Sequence, residues 1–170
     1  RLAASVMDSI KNVKTYDESP DRLKGKTREL YKKTHQTIQK VTNDIEDRFH
    51  FNTAISAIME LFNTLSGIKI EKDDAQQAAV VRTTMESLAL LLSPIVPHFA
   101  EELWEALGYN SSILLAPWPA YRKDALEKDE LLIVVQVNGK LRSRFNADVH
   151  ASEDTLKEMA LADEKVKKFT

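Results

Sequence analysis

Cysteine is absent from the 170 residues. That gap removes disulfides, thiolate nucleophiles, zinc ribbons and iron–sulfur clusters, and it is compatible with a reducing compartment. Glycine is scarce, with four in the chain, and no two lie close enough to make a GxGxxG turn or a phosphate-cradling GxxxxGK[ST] loop. No apolar run reaches the roughly 18 residues of a membrane span. The opening Arg1-Leu2-Ala3-Ala4 has neither an initiator Met nor a signal-peptide pattern, so the chain is expected to be a piece of something longer. Neither sign of charge dominates: 24 Lys+Arg stand against 26 Asp+Glu, for a net −2. What remains is 43% hydrophobic and 29% charged, a globular composition. At this length one domain, or one plus a small appendage, would bury roughly 70% of its unfolded surface.

Periodicity predicts helices through residue 108. Leu2, Val6, Ile10 and Val13 form a short amphipathic stripe, broken by the polar stretch Tyr16–Pro20. From about Asp21 to Phe49 the apolar positions Leu30, Ile38, Val41, Ile45 and Phe49, completed by Thr34, give a long helix with one narrow buried face. A third helix carries Phe51, Ile55, Ile58, Leu61, Phe62 and Leu65 and is expected to stop with Gly67 as C-cap. Asp73 or Asp74 opens a fourth, ended by Ser93-Pro94, and a fifth runs from Pro97 to Gly108. Beyond it, β-branched Leu131–Val137 predicts a strand. Asn138-Gly139 predicts a type I′ turn, and Lys140–Phe145 is the return strand. Ser152, followed by Glu153 and Asp154, caps another helix, and a further short helix is expected near the end. The fold expected is mainly α: an antiparallel helical bundle over residues 1–120, a linker over 121–130, and a small truncated α+β module with a hairpin over 131–170.

The near-neutral total conceals an uneven distribution. Residues 21–42 hold a net +5 and residues 73–108 a net −5. On a helical wheel centred on Thr34, Ile38, Val41 and Ile45, the residues Lys32, Gln36, Gln39, Lys40 and Asn43 point outward, with Arg28 and His35 on one flank. Such a row can meet phosphates with charge and sugar hydroxyls with hydrogen bonds; an ordinary solvated helix face has the same pattern. Alternation along the return strand places Lys140, Arg142 and Arg144 on one face about 6.8 Å apart, close to a phosphate repeat. Those side chains can equally snorkel over the apolar residues they pair with. Catalytic patterns are thin: His35, His50, His98 and His150 form no HExxH or other close metal-ligand spacing, and no serine has a GxSxG context. His98, Glu101, Trp104 and Trp118 read as structural.

Several of these stretches resemble a known family. Ser93-Pro94-Ile95-Val96-Pro97-His98-Phe99-Ala100-Glu101-Glu102-Leu103-Trp104 resembles the PxxPHxxEELW helix of class I aminoacyl-tRNA synthetases for aliphatic amino acids. In that family it lies in the helical anticodon-binding domain. Ala116-Pro117-Trp118-Pro119 resembles the APWP that follows it there. Thr34–Ile38, Lys40–Ile45 and Phe51–Leu61 are similar to the bacterial leucyl-tRNA synthetases, and Val134–Arg142 resembles the first hairpin of their C-terminal domain. Valyl and isoleucyl enzymes share the helical motif but usually end in a coiled coil or a zinc-bearing module; a fragment of one of them is an alternative. A helical protein-interaction scaffold that docks through the acidic segment 73–108 is another.

The resemblance implies a full-length ligase that attaches leucine to its tRNA through an adenylate. Its ATP and magnesium belong to a catalytic domain outside this chain, and no cofactor is expected within it. The partners implied are leucine-specific tRNA and the ligase's own catalytic and editing domains in cis. The protein is expected to be cytoplasmic, monomeric and without a membrane contact. Arg28, Lys32, His35, Gln36, Lys40, Lys140, Arg142 and Arg144 are the residues expected to approach tRNA.

Overall fold

A computed structural model describes residues 7, 9–46, 49–71, 74–127, 130–148 and 151–167. Two compact units divide the chain, Arg1–Leu126 and Glu127–Thr170. The expected stripe over residues 2–13 falls mostly outside the described residues; within them Met7, Ser9 and Ile10 are helical and Ile10 is buried.

In the first unit, Ser19 accepts the Asp21 N–H and caps a 3₁₀ turn, Pro20–Arg22. Leu23 then returns to extended backbone, and Gly25 takes a φ of +51°, a left-handed value that suits glycine. Helix α1 (Gly25–Glu46) therefore begins four residues later than its periodicity suggests. Its buried stripe holds Leu30, Thr34, Ile38 and Val41 as expected, widened by Tyr31 and Thr37. Phe49 leaves the stripe: it lies past the helix end, with φ +51° and 73% exposure.

Helix α2 (Phe51–Ser66) buries Ala54, Ala57, Ile58, Leu61 and Leu65. Gly67 is its C-cap, but at φ −81° the residue is right-handed, so glycine's left-handed freedom does not end this helix. Helix α3 (Ala75–Leu92) starts at Asp74, whose carboxylate accepts the Gln77 N–H at 2.8 Å. It is buried on most of its circumference, as a central helix must be. Helix α4 (Pro97–Ala106) follows, and Gly108 closes it at φ +95°.

Helix α1 packs on α2 and α3, and α3 on α4. Between α1 and α3 the hydroxyls of Thr34 and Thr84 meet at 2.9 Å: one donates to the other, which donates to the carbonyl four residues back in its own helix. Residues 121–126 were expected as the start of a linker. They belong instead to the first unit, where Ala125 is fully buried.

One buried cation ties these pieces together. The Arg82 guanidinium on α3 donates to the carbonyls of Ile10 (3.2 Å), Lys11 (2.9 Å) and Leu107 (2.6 Å), and its Nε donates to Glu86 at 2.5 Å. Tyr109 donates to the same carboxylate at 2.6 Å, lies 5.3 Å from the guanidinium carbon, and stacks on Trp104 at 3.8 Å. Burial first, and then the Glu86 carboxylate, push the Tyr109 phenol up, so it stays a donor.

In the second unit β1 (Glu130–Val137) pairs antiparallel with β2 (Lys140–Asp148). Asn138 (φ +52°) and Gly139 (φ +74°) make the primed turn. Helix α5 (Glu153–Ala162) is capped by Ser152, and α6 (Glu164–Lys167) packs on β2 with Val166 buried. The Ser143 hydroxyl donates to Asp163, the residue between these two helices.

Arg82→Met should cost the first unit about 3 kcal/mol, because it leaves Glu86 without its cation and the Lys11 and Leu107 carbonyls without their side-chain donor. Thermal denaturation should show a Tm lower by about 10 °C, while Tyr109→Phe, which loses one bond, should cost about 1 kcal/mol. A Tm for Arg82→Met near that of the parent chain would contradict this role.

Candidate nucleic-acid interface

Helix α1 presents its polar side between two covered flanks. One flank faces α2, where the Lys33 ammonium sits 2.7 Å from Glu60. The other is covered by a stretch from more than seventy residues later. There the Trp118 indole N–H donates to the Thr42 hydroxyl at 2.9 Å, and the Arg122 backbone N–H donates to His35 Nδ1 at 3.3 Å. The prolines on either side of Trp118 favour the extended course this stretch follows across the helix.

That cover changes the predicted row. Gln36, Lys40 and Asn43 are exposed, as the helical wheel expects. Lys40 rests 3.3 Å from Asp44 one turn on, an exposed pair that solvent screens. Lys32 is not on the surface: it is 8% exposed. Arg28 is half-buried and held by Asp21 at 3.0 Å.

His35 is 5% exposed and forms the end of an aromatic ladder, edge-to-face on Tyr31, which is itself edge-to-face on Tyr16. Because Nδ1 accepts a backbone N–H, the ring carries its hydrogen on Nε2. Nε2 is buried and has no hydrogen-bond partner among the described residues. Burial, and then the nearby Arg122 charge, lower the His35 pKa to about 4. It is a neutral structural group, not a cation for phosphate. Arg122 is itself fixed by two bonds to Asp124 and one to the Asp17 carbonyl.

The hairpin row is corrected as well. Val137 faces Lys140, as expected, but Val135 faces Ser143 and not Arg142, because a bulge interrupts the register after Val135. The extra residue reverses the alternation. Arg144 pairs with Val134 on the exposed face, Lys140 pairs with Val137 on the other, and Arg142 lies half-buried in the bulge. The three cations do not share a face.

Two aromatic residues go unmarked as surface groups in the sequence. Trp118 and Tyr121 remain open to solvent to 40% and 36%, and Trp118 lies against α1 beside the Gln36–Lys40–Asn43 face. Flat rings beside amides and a cation suit sugar or base contact. Glu101 is structural, as read: it accepts the Ile113 N–H at 3.1 Å and the Ser112 hydroxyl at 3.2 Å. Among the described residues no three His, Asp or Glu side chains gather as a metal-holding cluster, and no helix is long and apolar enough to cross a membrane.

The family model for the anticodon-binding domain of tRNA ligase matches residues 27–157. Over 169 residues, 99% of the chain, the leucine–tRNA ligase of Desulfatibacillum aliphaticivorans is 52% identical and that of Desulforapulum autotrophicum 50%. The chain spans about 20% of the length of each. Among solved structures, the ternary complex of Agrobacterium radiobacter K84 agnB2 LeuRS with tRNA and LeuAMS matches 99% of the chain and 21% of its own, at a TM-score of 0.78 and 32% identity.

The pKa of His35 has a thermodynamic consequence. Unfolded, the ring binds a proton near pH 6.5; folded, only near pH 4. The unfolded state therefore binds more protons between these values. The contribution is complete above pH 6.5 and falls as pH drops, by about 3 kcal/mol at pH 4. Urea unfolding at pH 7.5 and pH 5 should show about 2 kcal/mol of this loss, and His35→Phe should remove most of the difference. An equal pH dependence in the variant would contradict the assignment.

Proposed function

The chain belongs to the anticodon-binding domain family of tRNA ligases, and from that premise we propose that it is the tRNA-holding region of a leucine–tRNA ligase. In the full polypeptide the ligase would activate leucine with ATP, with magnesium in its catalytic part, and transfer it to the tRNA 3′ end. This region would hold the tRNA body while chemistry proceeds elsewhere. The observation that carries the reading is the whole-chain match, in sequence and fold, to leucine ligases, one of them solved with tRNA. Leucine ligases at 50–52% identity over 99% of the chain favour this origin over a valyl or isoleucyl one. A cytoplasmic, monomeric enzyme working with its own catalytic and editing domains in cis fits this reading.

The contacts follow from exposure. Gln36, Asn43 and Lys40 on α1, flanked by Trp118, offer hydrogen bonds, one charge and a flat ring. Lys140 and Arg144 offer two charges on opposite faces of the hairpin. His35 acts through packing, Lys32 is buried, and Arg28 is held by Asp21. Phosphate contacts of this kind set position and affinity without reading sequence.

In the full-length ligase, the combined change Lys40→Glu, Lys140→Glu and Arg144→Glu should raise KM for tRNA about 10-fold, and the slope of log Kd against log salt should become shallower by about 2. ATP–pyrophosphate exchange should be unaltered. A parental KM and salt slope would overturn the contact assignment.

A further inference from the structure

Helix α2 has a wide apolar arc. Its sixteen residues include one charge, Glu60, already engaged by Lys33. Beside the buried face, about 100° round the helix, Phe51, Ile55, Met59 and Phe62 follow one another at helical spacing and all stand exposed, Met59 to 53%, while Asn52, Ser56 and Asn63 hold the side away from the core. Across from them Val96 and Phe99, at the start of α4, are exposed too, Phe99 to 54%. Between the two runs lies an open groove of about 280 Å³, floored by Met85, Leu88 and Leu92 from α3. Every residue lining it is apolar. An apolar arc that extends about 100° past the side packed within its own unit is wider than that packing uses, and the excess is built to be covered. Continuous exposed apolar surface on this scale marks an interaction site.

We infer that the α2–α4 groove and the outer stripe of α2 seat an apolar element of the ligase's own polypeptide, from outside these 170 residues. RNA does not suit the face, since no lysine or arginine lines the groove and phosphates would find no counter-charge. A second copy is disfavoured by mass action. The matching ligases are about five times as long as this chain, and a tethered element competes at an effective concentration of order millimolar. The chemistry is that of a permanent interface, which resembles a domain core cut in half. The inference rests on the proposed ligase context but not on the tRNA contacts, so the cation variants above and the test below can fail independently.

The test is oxidative footprinting of the full-length ligase, read by mass spectrometry at Met59 and Phe99 with buried Met85 as internal reference. Met59 should oxidise as slowly as Met85, at any protein concentration and with or without tRNA, since an interface core excludes water. Oxidation of Met59 about fivefold or more faster than Met85 would show a free face and overturn the inference. Protection that needs tRNA would assign the face to RNA, and protection that grows with protein concentration would assign it to a second copy; either overturns it. The double variant Met59→Glu with Phe99→Glu adds a second readout. In the full-length enzyme it should lower Tm and expose Met85 to oxidation, leaving KM for tRNA unchanged; a parental Tm and footprint would overturn the inference.

Discussion

The first unit depends on Arg82. Three carbonyls, at Ile10, Lys11 and Leu107, end two separate helical stretches; that of Ile10 also accepts the Val13 N–H at 3.0 Å, and all three turn to Arg82. One nitrogen of the α3 guanidinium, Nη1, reaches all three by sharing its two hydrogens, while Nε is kept for Glu86. An apolar residue of the same volume could pack as well and avoid desolvating a charge. It could not supply directional donors to two chain segments more than seventy residues from one another. Glu86 neutralises the charge, Tyr109 covers it, and Trp104 backs Tyr109, so the end of α4 is shaped around this cation. Once α3 is fixed, the hydroxyls on it set the neighbours: Thr83 accepts the Tyr16 N–H and Thr84 meets Thr34 on α1.

This dependence explains which features were legible beforehand. Asp74, Ser152 and Asn138-Gly139 act on backbone groups within three residues of themselves, so sequence spacing identifies them. The stripe Leu30–Thr34–Ile38–Val41 is equally local, being a property of one helix. Lys32 and His35 are not. The exposure of His35 is decided by the stretch around Trp118–Asp124, whose return across α1 is set by tertiary contacts that no helical wheel contains. Arg82 was counted as one cation in an acidic segment, because its three carbonyl partners lie 25, 71 and 72 residues away.

The hairpin teaches the same lesson on a smaller scale. Turn type was legible because Asn138 and Gly139 must both take positive φ. Register beyond the turn was not, because one extra residue in β2 follows from how Ser143 reaches Asp163 and how Ala147 is buried. A bulge of one residue moves Arg144 from the face of Lys140 to the opposite one. Charge patterns on strands are therefore more fragile than charge patterns on helices: a slip of one position rotates a helix face by about 100° but turns a strand face over completely.

Charge counts mislead in another way. The net +5 of residues 21–42 suggests a strong field over α1, yet Asp44 and Glu60, outside that segment, each hold one of its cations. On the proposed reading, one cation on α1 and two on the hairpin meet RNA, and neither set alone would bind tightly at physiological salt. Joined in one chain, two weak sets of contacts multiply, because engagement by one raises the effective concentration of the other. Phosphate contacts of that kind are salt-sensitive and indifferent to base sequence. Discrimination among tRNAs then cannot come from these residues, and the region's contribution is orientation: an uncharged α2 face turned toward the ligase's own body, a polar α1 face turned toward RNA.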